Sequence, residues 1–201
     1  GFSKKISERI TLYIMKYFSF KKQEAEHLRK RMFCEYGLTL RGLMLEKNID
    51  PDSYLDFVHN VTHHGLRVDL QLKKFLKNLN GRKFIYTNAS KDHAISVLDA
   101  MGIADQFDDI LDIKGTNYVP KPDLQSYEVM IKKFNIGDEQ LERSIFFEDT
   151  AKNLRPAKRM GLSTVWIKNK FNFQDYKLNK RFVDFRCDNI KDFFNSINFY
   201  S

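Results

Sequence analysis

Ser144-Ile145-Phe146-Phe147-Glu148-Asp149-Thr150 sets a short apolar run directly before two adjacent acids. Such a run, with helical patterns on both sides, predicts a strand buried on both faces of a parallel sheet. In open α/β sheets ligands bind in the crevice beyond the carboxyl ends of the strands, so Glu148 and Asp149 are expected to face a site. Neighbouring carboxylates raise each other's pKa unless a cation sits between them, and hard oxygen donors suit Mg²⁺. The alternative is a solvated turn carrying two charges. Beyond the acids, Leu154, Ala157 and Met160 keep helical spacing and Gly161 closes the run. Pro156 belongs in a first turn, so a helix is expected from about Asn153, with residues 150–152 wrapped around the acids.

Working outward, strand and helix alternate through the last two thirds of the chain. Asp69 opens a helix through Leu72, Phe75, Leu76 and Leu79, Asn80-Gly81 breaks it, and Lys83-Phe84-Ile85-Tyr86 reads as a strand. Thr87-Asn88-Ala89-Ser90 leads into a helix carrying Ala94, Val97 and Leu98. A strand is expected at 109–113, a helix after Pro120-Lys121-Pro122, a strand at 163–167, another at 182–185, and a helix from Asp188. This alternation predicts an α/β fold with a doubly wound parallel sheet. Three strand ends are then expected to converge on one crevice. Thr87 brings a hydroxyl, and Asn88 brings backbone N–H at a helix start. Lys121, held between two prolines, brings a fixed positive charge. Together with the acids, these groups point to phosphate chemistry.

The first third reads as all α. Ile6, Ile10, Tyr13, Ile14 and Tyr17 form one amphipathic stripe, and Ala25, Leu28, Met32, Phe33 and Tyr36 form a second before Gly37. Thr39 is expected to cap a short third helix, and Asp50-Pro51 is a cap-then-proline start for a fourth. Arg41 is a guanidinium suited to a phosphate or a base edge, with an ordinary surface arginine as the alternative. His59, His63 and His64 have metal-like spacing, but no acid or cysteine completes a ligand set, so a solvated helix end is expected.

The 201 residues can bury one sizeable core and a smaller one. Lys and Arg number 34 against 26 Asp and Glu, a net charge of +8 that favours anionic partners. Two cysteines, Cys34 and Cys187, are too few for a zinc site or a disulfide framework and fit a reducing, cytoplasmic setting. No run reaches the roughly eighteen apolar residues of a membrane helix, so no membrane partner is expected. Lys168, Lys170, Lys177, Lys180 and Arg181 interleave with Phe171, Phe173 and Tyr176, the mix of a single-strand groove. A solvated charged face ranks above nucleic-acid binding there, because no nucleic-acid fold signature accompanies it.

Thr87-Asn88, Lys121-Pro122 and Glu148-Asp149 with Asn153 occur in the order of the second, third and fourth motifs of the haloacid dehalogenase-like hydrolases, which the chain resembles over roughly residues 65–187. The resemblance implies that family's Rossmann-like core at 65–201 and a helical cap at 1–64. Tyr36-Gly37-Leu38-Thr39-Leu40-Arg41-Gly42-Leu43 and Glu148-Asp149-Thr150-Ala151-Lys152-Asn153 are most similar to the pyrimidine 5′-nucleotidase group. Carried over by position, Thr87 binds the transferring phosphoryl oxygens and Lys121 stabilises the nucleophile and the phosphoryl charge, as the catalytic pair; Asn88 and Arg41, expected from their own chemistry, join them in binding substrate. Asp149 is the implied Mg²⁺ ligand with Glu148 beside it, and Asn153 caps the helix and orients the metal loop. The implied activity is Mg²⁺-dependent hydrolysis of a phosphomonoester, a nucleoside monophosphate, through an aspartyl-phosphate.

The family's first motif, a strand ending Asp-x-Asp-x-Thr, does not occur in these 201 residues. The expectation is that the nucleophile lies upstream of Gly1, that the sheet's central first strand is absent, and that this chain by itself is inactive. Two other readings stand beside the nucleotidase: a sugar-phosphate phosphatase or phosphomutase of the same superfamily, and a non-catalytic phosphate-binding or protein-interaction module. Oligomeric state has no readable signal.

Overall fold

The computed structural model describes residues 2–62, 65–168 and 181–196. The chain divides into two compact units, residues 1–68, 86–104 and 110–120 in the first, and 69–85, 105–109 and 121–201 in the second. His63, His64 and most of the basic-aromatic run, Lys170 to Lys180, lie outside the described residues.

The first unit is built on four helices, α1 (Phe2–Phe18), α2 (Lys22–Tyr36), α3 (Thr39–Lys47) and α4 (Pro51–His59). Their apolar stripes meet in one core of Tyr13, Ile14, Ala25, Leu28, Met32, Leu40, Leu43, Tyr54, Leu55 and Val58, joined by Ile113. Local chemistry sets the ends. Gly37 takes a left-handed φ of 75° and its N–H returns to the Phe33 carbonyl, closing α2. The Asp50 carboxylate accepts from the Ser53 N–H and Pro51 occupies the first turn, opening α4. α3 lies against α2 at Gly42, where a Cβ would stand 2.5 Å from Met32 Sδ and 2.7 Å from Tyr36 Cδ2, so only a hydrogen fits. The same unit holds α6 (Lys91–Ala100).

The second unit carries a three-stranded parallel sheet in the order β3 (Ile145–Glu148), β4 (Ser163–Ile167), β5 (Phe185–Cys187). Helices α5 (Leu70–Asn78), α7 (Leu124–Lys133), α8 (Asp138–Leu141), α9 (Leu154–Arg159) and α10 (Ile190–Ser196) belong to it. Asp69 caps α5 by accepting from the Leu72 N–H, as the sequence predicts. Strands β1 (Phe84–Tyr86) and β2 (Asp109–Leu111) pair with each other in a separate two-stranded sheet. Among the described residues each of β1 and β3 has one strand neighbour. The α/β class and the parallel pairing agree with the sequence reading.

Two strand ends move because a side chain outcompetes the ladder. β2 stops at Leu111, since the Asp112 carboxylate takes the N–H groups of Lys91 and Gly115 and turns the chain. The last strand starts at Phe185 instead of Phe182. The Asp184 carboxylate accepts from Thr164 N–H and hydroxyl and from Lys158, while Phe182 fills a core with Ala151, Leu154 and Trp166. Helix α10 begins two residues later than expected, capped by the Asn189 side chain, which accepts from the Lys191 and Asp192 N–H groups.

Candidate functional site

The tip of β3 is the most constrained polar place in the second unit. Glu148 stands in register with Trp166 of β4, and the Trp166 indole N–H donates to the Asp149 carbonyl at 3.0 Å, pinning the backbone where strand becomes turn. The Glu148 carboxylate points inward. Its Oε1 accepts from the Asp149 and Thr150 N–H groups at 3.2 and 3.1 Å, and its Oε2 accepts from Lys121 Nζ at 2.6 Å. Both side chains are buried, Lys121 being 10% and Glu148 7% exposed. Burial alone pushes the Glu148 carboxyl up, but the Lys121 charge and the hydrogen bonds from Asp149, Lys121 and Thr150 outweigh it and leave it below its ordinary value. The mutual raising expected of two adjacent acids is thus overridden for Glu148. The cation beside it is Lys121, delivered by a loop whose Lys121–Pro122 peptide is cis.

Asp149 is exposed, and the Thr150 hydroxyl lies 3.4 Å from its Oδ1. Residues 151–153 form a 3₁₀ turn before α9, so Pro156 falls in the first turn as expected. Asn153 differs from its expected role as a cap: its side chain makes no capping hydrogen bond. It is buried, its carbonyl accepts from the Tyr127 hydroxyl, and its Oδ1 has no hydrogen-bond partner among the described residues. Among the described residues no group of three or more His, Cys, Asp or Glu gathers there as a metal cage. Mg²⁺ does not need one: it commonly takes one or two carboxylates, with water and phosphate oxygens filling the remaining positions. An exposed Asp149 on a pinned backbone fits that donor set.

In the first unit, Thr87 follows β1 directly. Its N–H donates to the Leu111 carbonyl at 2.9 Å, and its hydroxyl oxygen accepts from the Ala89 N–H at 3.0 Å. The rotamer is fixed while the hydroxyl's own hydrogen stays available to donate. Asn88 is half-buried in the same loop, and Arg41 is half-buried in the first turn of α3. The structure therefore brings Lys121, Glu148, Asp149 and Asn153 together on one unit, while Thr87, Asn88 and Arg41 belong to the other.

Sequence reasoning missed three contributors. Trp166 is one, although a lone tryptophan on the strand after the acids was a usable signal. Tyr127, holding the Asn153 carbonyl, is another. The third is His59, which is no solvated helix end: its Nδ1 lies 2.8 Å from the Ser90 hydroxyl and its ring stacks on His93 with centroids 4.3 Å apart.

The sequence model of the haloacid dehalogenase-like hydrolases matches residues 3–167. The chain belongs to that family. Phosphate metabolism protein 8 of Saccharomyces cerevisiae is 31% identical to this haloacid dehalogenase-like chain over 161 residues, covering 73% of the chain and 50% of the yeast protein. The chain thus spans about half the length of that relative. Among solved structures, the fold resembles the HAD phosphatase of Thermococcus onnurineus with a TM-score of 0.60, at 13% identity and covering 95% of this chain and 87% of that one. It also resembles the HAD-hydrolase YfnB of Bacillus subtilis bound to magnesium, with a TM-score of 0.56, 18% identity and coverages of 97% and 80%. These likenesses show the fold.

Proposed function

We propose that the chain is the body of a Mg²⁺-dependent phosphomonoester hydrolase acting on a nucleoside monophosphate, with residues 1–64 as its cap and 65–201 as its core. The observation that carries this reading is the buried Lys121–Glu148 pair at the tip of β3, directly before an exposed Asp149. Glu148 keeps a desolvated ammonium in one place, and a fixed ammonium beside an exposed carboxylate suits a phosphoryl group bound with a divalent cation. The yeast relative's name and the magnesium in YfnB are consistent with it.

Each residue then has a definite task. Thr87 donates its hydroxyl hydrogen to a phosphoryl oxygen, and Asn88 offers its backbone to the same group. Lys121 offsets the charge of the transferring phosphoryl group and of the attacking aspartate. Asp149 holds the cation, with Glu148 beside it fixing Lys121 and with Asn153 supporting the loop. Bound there, Mg²⁺ supplies charge neutralisation at the phosphoryl oxygens. Arg41, on the helical segment, reads the substrate's remaining anionic or base groups.

Hydrolysis through an aspartyl-phosphate needs an aspartate nucleophile, and Asp-x-Asp-x-Thr is absent from these 201 residues. The second reading is a phosphate-binding module without turnover. Phosphate release from nucleoside monophosphates and from sugar phosphates is to be measured for the chain alone and for the chain preceded by a strand ending in that motif. The reading expects Mg²⁺-dependent release only from the second, with nucleotides ahead of sugar phosphates. Binding of nucleotide with no release by either form supports the binding module instead.

A further inference from the structure

Ser90 occupies the N-cap position of α6, with the extended φ of −73° and ψ of 154° usual for a capping serine, yet its side chain makes no capping hydrogen bond. A serine there ordinarily accepts from the helix's own first-turn N–H groups and stabilises the helix. Here the buried Ser90 hydroxyl is turned to His59 Nδ1, 2.8 Å away and 31 residues earlier. His59 is the last residue of α4, so this bond ties the helical bundle to the loop that begins with Thr87. Its ring is backed by His93, one turn into α6, at 4.3 Å and 16° between planes.

The other side of that loop is held by the end of β2 and the segment after it. Thr87 N–H donates to Leu111, Ile113 N–H donates to Ala89, and Lys91 N–H donates to Asp112. The backbone bonds fix the loop's height against β2. The His59 bond fixes its exit.

We propose that His59 is a positioning residue of the 87–90 loop: by holding the Ser90 hydroxyl it keeps that loop in the conformation that presents Thr87 to a phosphoryl group. The inference adds to the phosphatase reading and rests on it only for the phosphate. Burial first, and the neighbouring His93 second, hold the His59 pKa down to about 3, so the imidazole stays neutral around pH 7. A neutral ring makes one hydrogen bond to a hydroxyl in either tautomer, so the tie is not broken by ordinary changes of pH.

The test compares wild type, Ser90→Ala, His59→Leu, His59→Asn and the double variant His59→Leu/Ser90→Ala. Two quantities are read: amide hydrogen exchange across 87–91, and the affinity for inorganic phosphate in the presence of Mg²⁺. Ser90→Ala removes one oxygen and is expected to keep the thermal midpoint while speeding exchange in 87–91 and weakening phosphate about tenfold. His59→Leu is expected to match it, His59→Asn to restore most of the loss, and the double variant to be no worse than the worse single one, because both act through one bond. Unchanged exchange in folded Ser90→Ala overturns the inference, as do additive losses in the double variant. Wild type that binds no phosphate, with faster exchange in Ser90→Ala, overturns the phosphatase reading and upholds the positioning of the loop.

Discussion

Two ion pairs of nearly equal length occupy opposite surroundings. Arg31 on α2 grips Glu46 on α3 through two bonds of 2.7 Å, in the open, and Tyr36 adds a third at 2.9 Å. Lys121 meets Glu148 through a single bond of 2.6 Å, out of water. By geometry the helical pair is better, and its hydrogen bonds from Arg31 and then Tyr36 hold the Glu46 carboxyl down to about 2. By consequence the order reverses. Exposed charges exchange water for each other at little net gain, whereas a buried charge stripped of its partner has nothing to replace it. The difference separates what joins the helices, which is packing, from what organises the tip of β3, which is charge.

The largest expected effect follows from removing one member of the buried pair. Lys121→Met leaves Glu148 desolvated and should cost about 3–5 kcal/mol of unfolding free energy, read from denaturant titration. Lys121→Met/Glu148→Leu should recover most of that stability while remaining without phosphate affinity, and equal losses in single and double variants would dissolve the contrast drawn above.

His59 shows what burial does to a group with no counter-charge, and it sharpens the comparison through pH. Its folded pKa of about 3 lies below the ordinary histidine value of 6.5, so the unfolded chain takes up the proton first. Its contribution is therefore complete above about pH 6.5 and declines as the pH falls toward 3. Chemical denaturation across that window should show a steeper acid-side loss in wild type than in His59→Asn, and identical curves would contradict the assignment.

A smaller effect is expected where the helices touch. Gly42→Ala pushes a methyl into Met32 and Tyr36, and overpacking of this kind costs about 1–3 kcal/mol, with the flexible Met32 thioether giving way toward the lower end. The smallest belongs to the exposed fork. Arg31→Met should leave the midpoint nearly where it was, at low and at high salt, and should rank below Gly42→Ala. A larger loss for Arg31→Met would show that charge, not packing, joins α2 and α3.

Much of this was legible before the structure because it is local. Asp50-Pro51, Asp69 and Gly37 act within one helical turn, and the apolar run before Glu148 carries its own strand signal. Pro156 set the start of α9 for the same reason. What was not legible depends on partners far apart in sequence. No local pattern says that Glu148 will spend both oxygens on Lys121 and on two backbone N–H groups, leaving Asp149 as the exposed acid. Nor does one say that Ser90 will turn from its helix to His59. Asp112 and Asp184 moved strand ends by competing for N–H groups that hydrophobic patterning cannot count.

The proposal with the widest consequence is that Thr87, Lys121 and Asp149 serve one phosphoryl-transfer reaction. Its most direct test is Mg²⁺-dependent phosphate release by the chain joined to a strand ending Asp-x-Asp-x-Thr, compared among wild type, Thr87→Ala, Lys121→Met and Asp149→Asn. The account predicts release by wild type, loss of at least about a hundredfold in Lys121→Met and Thr87→Ala, and a loss in Asp149→Asn that excess Mg²⁺ partly offsets. Release that needs no Mg²⁺, or that survives all three substitutions, would contradict it.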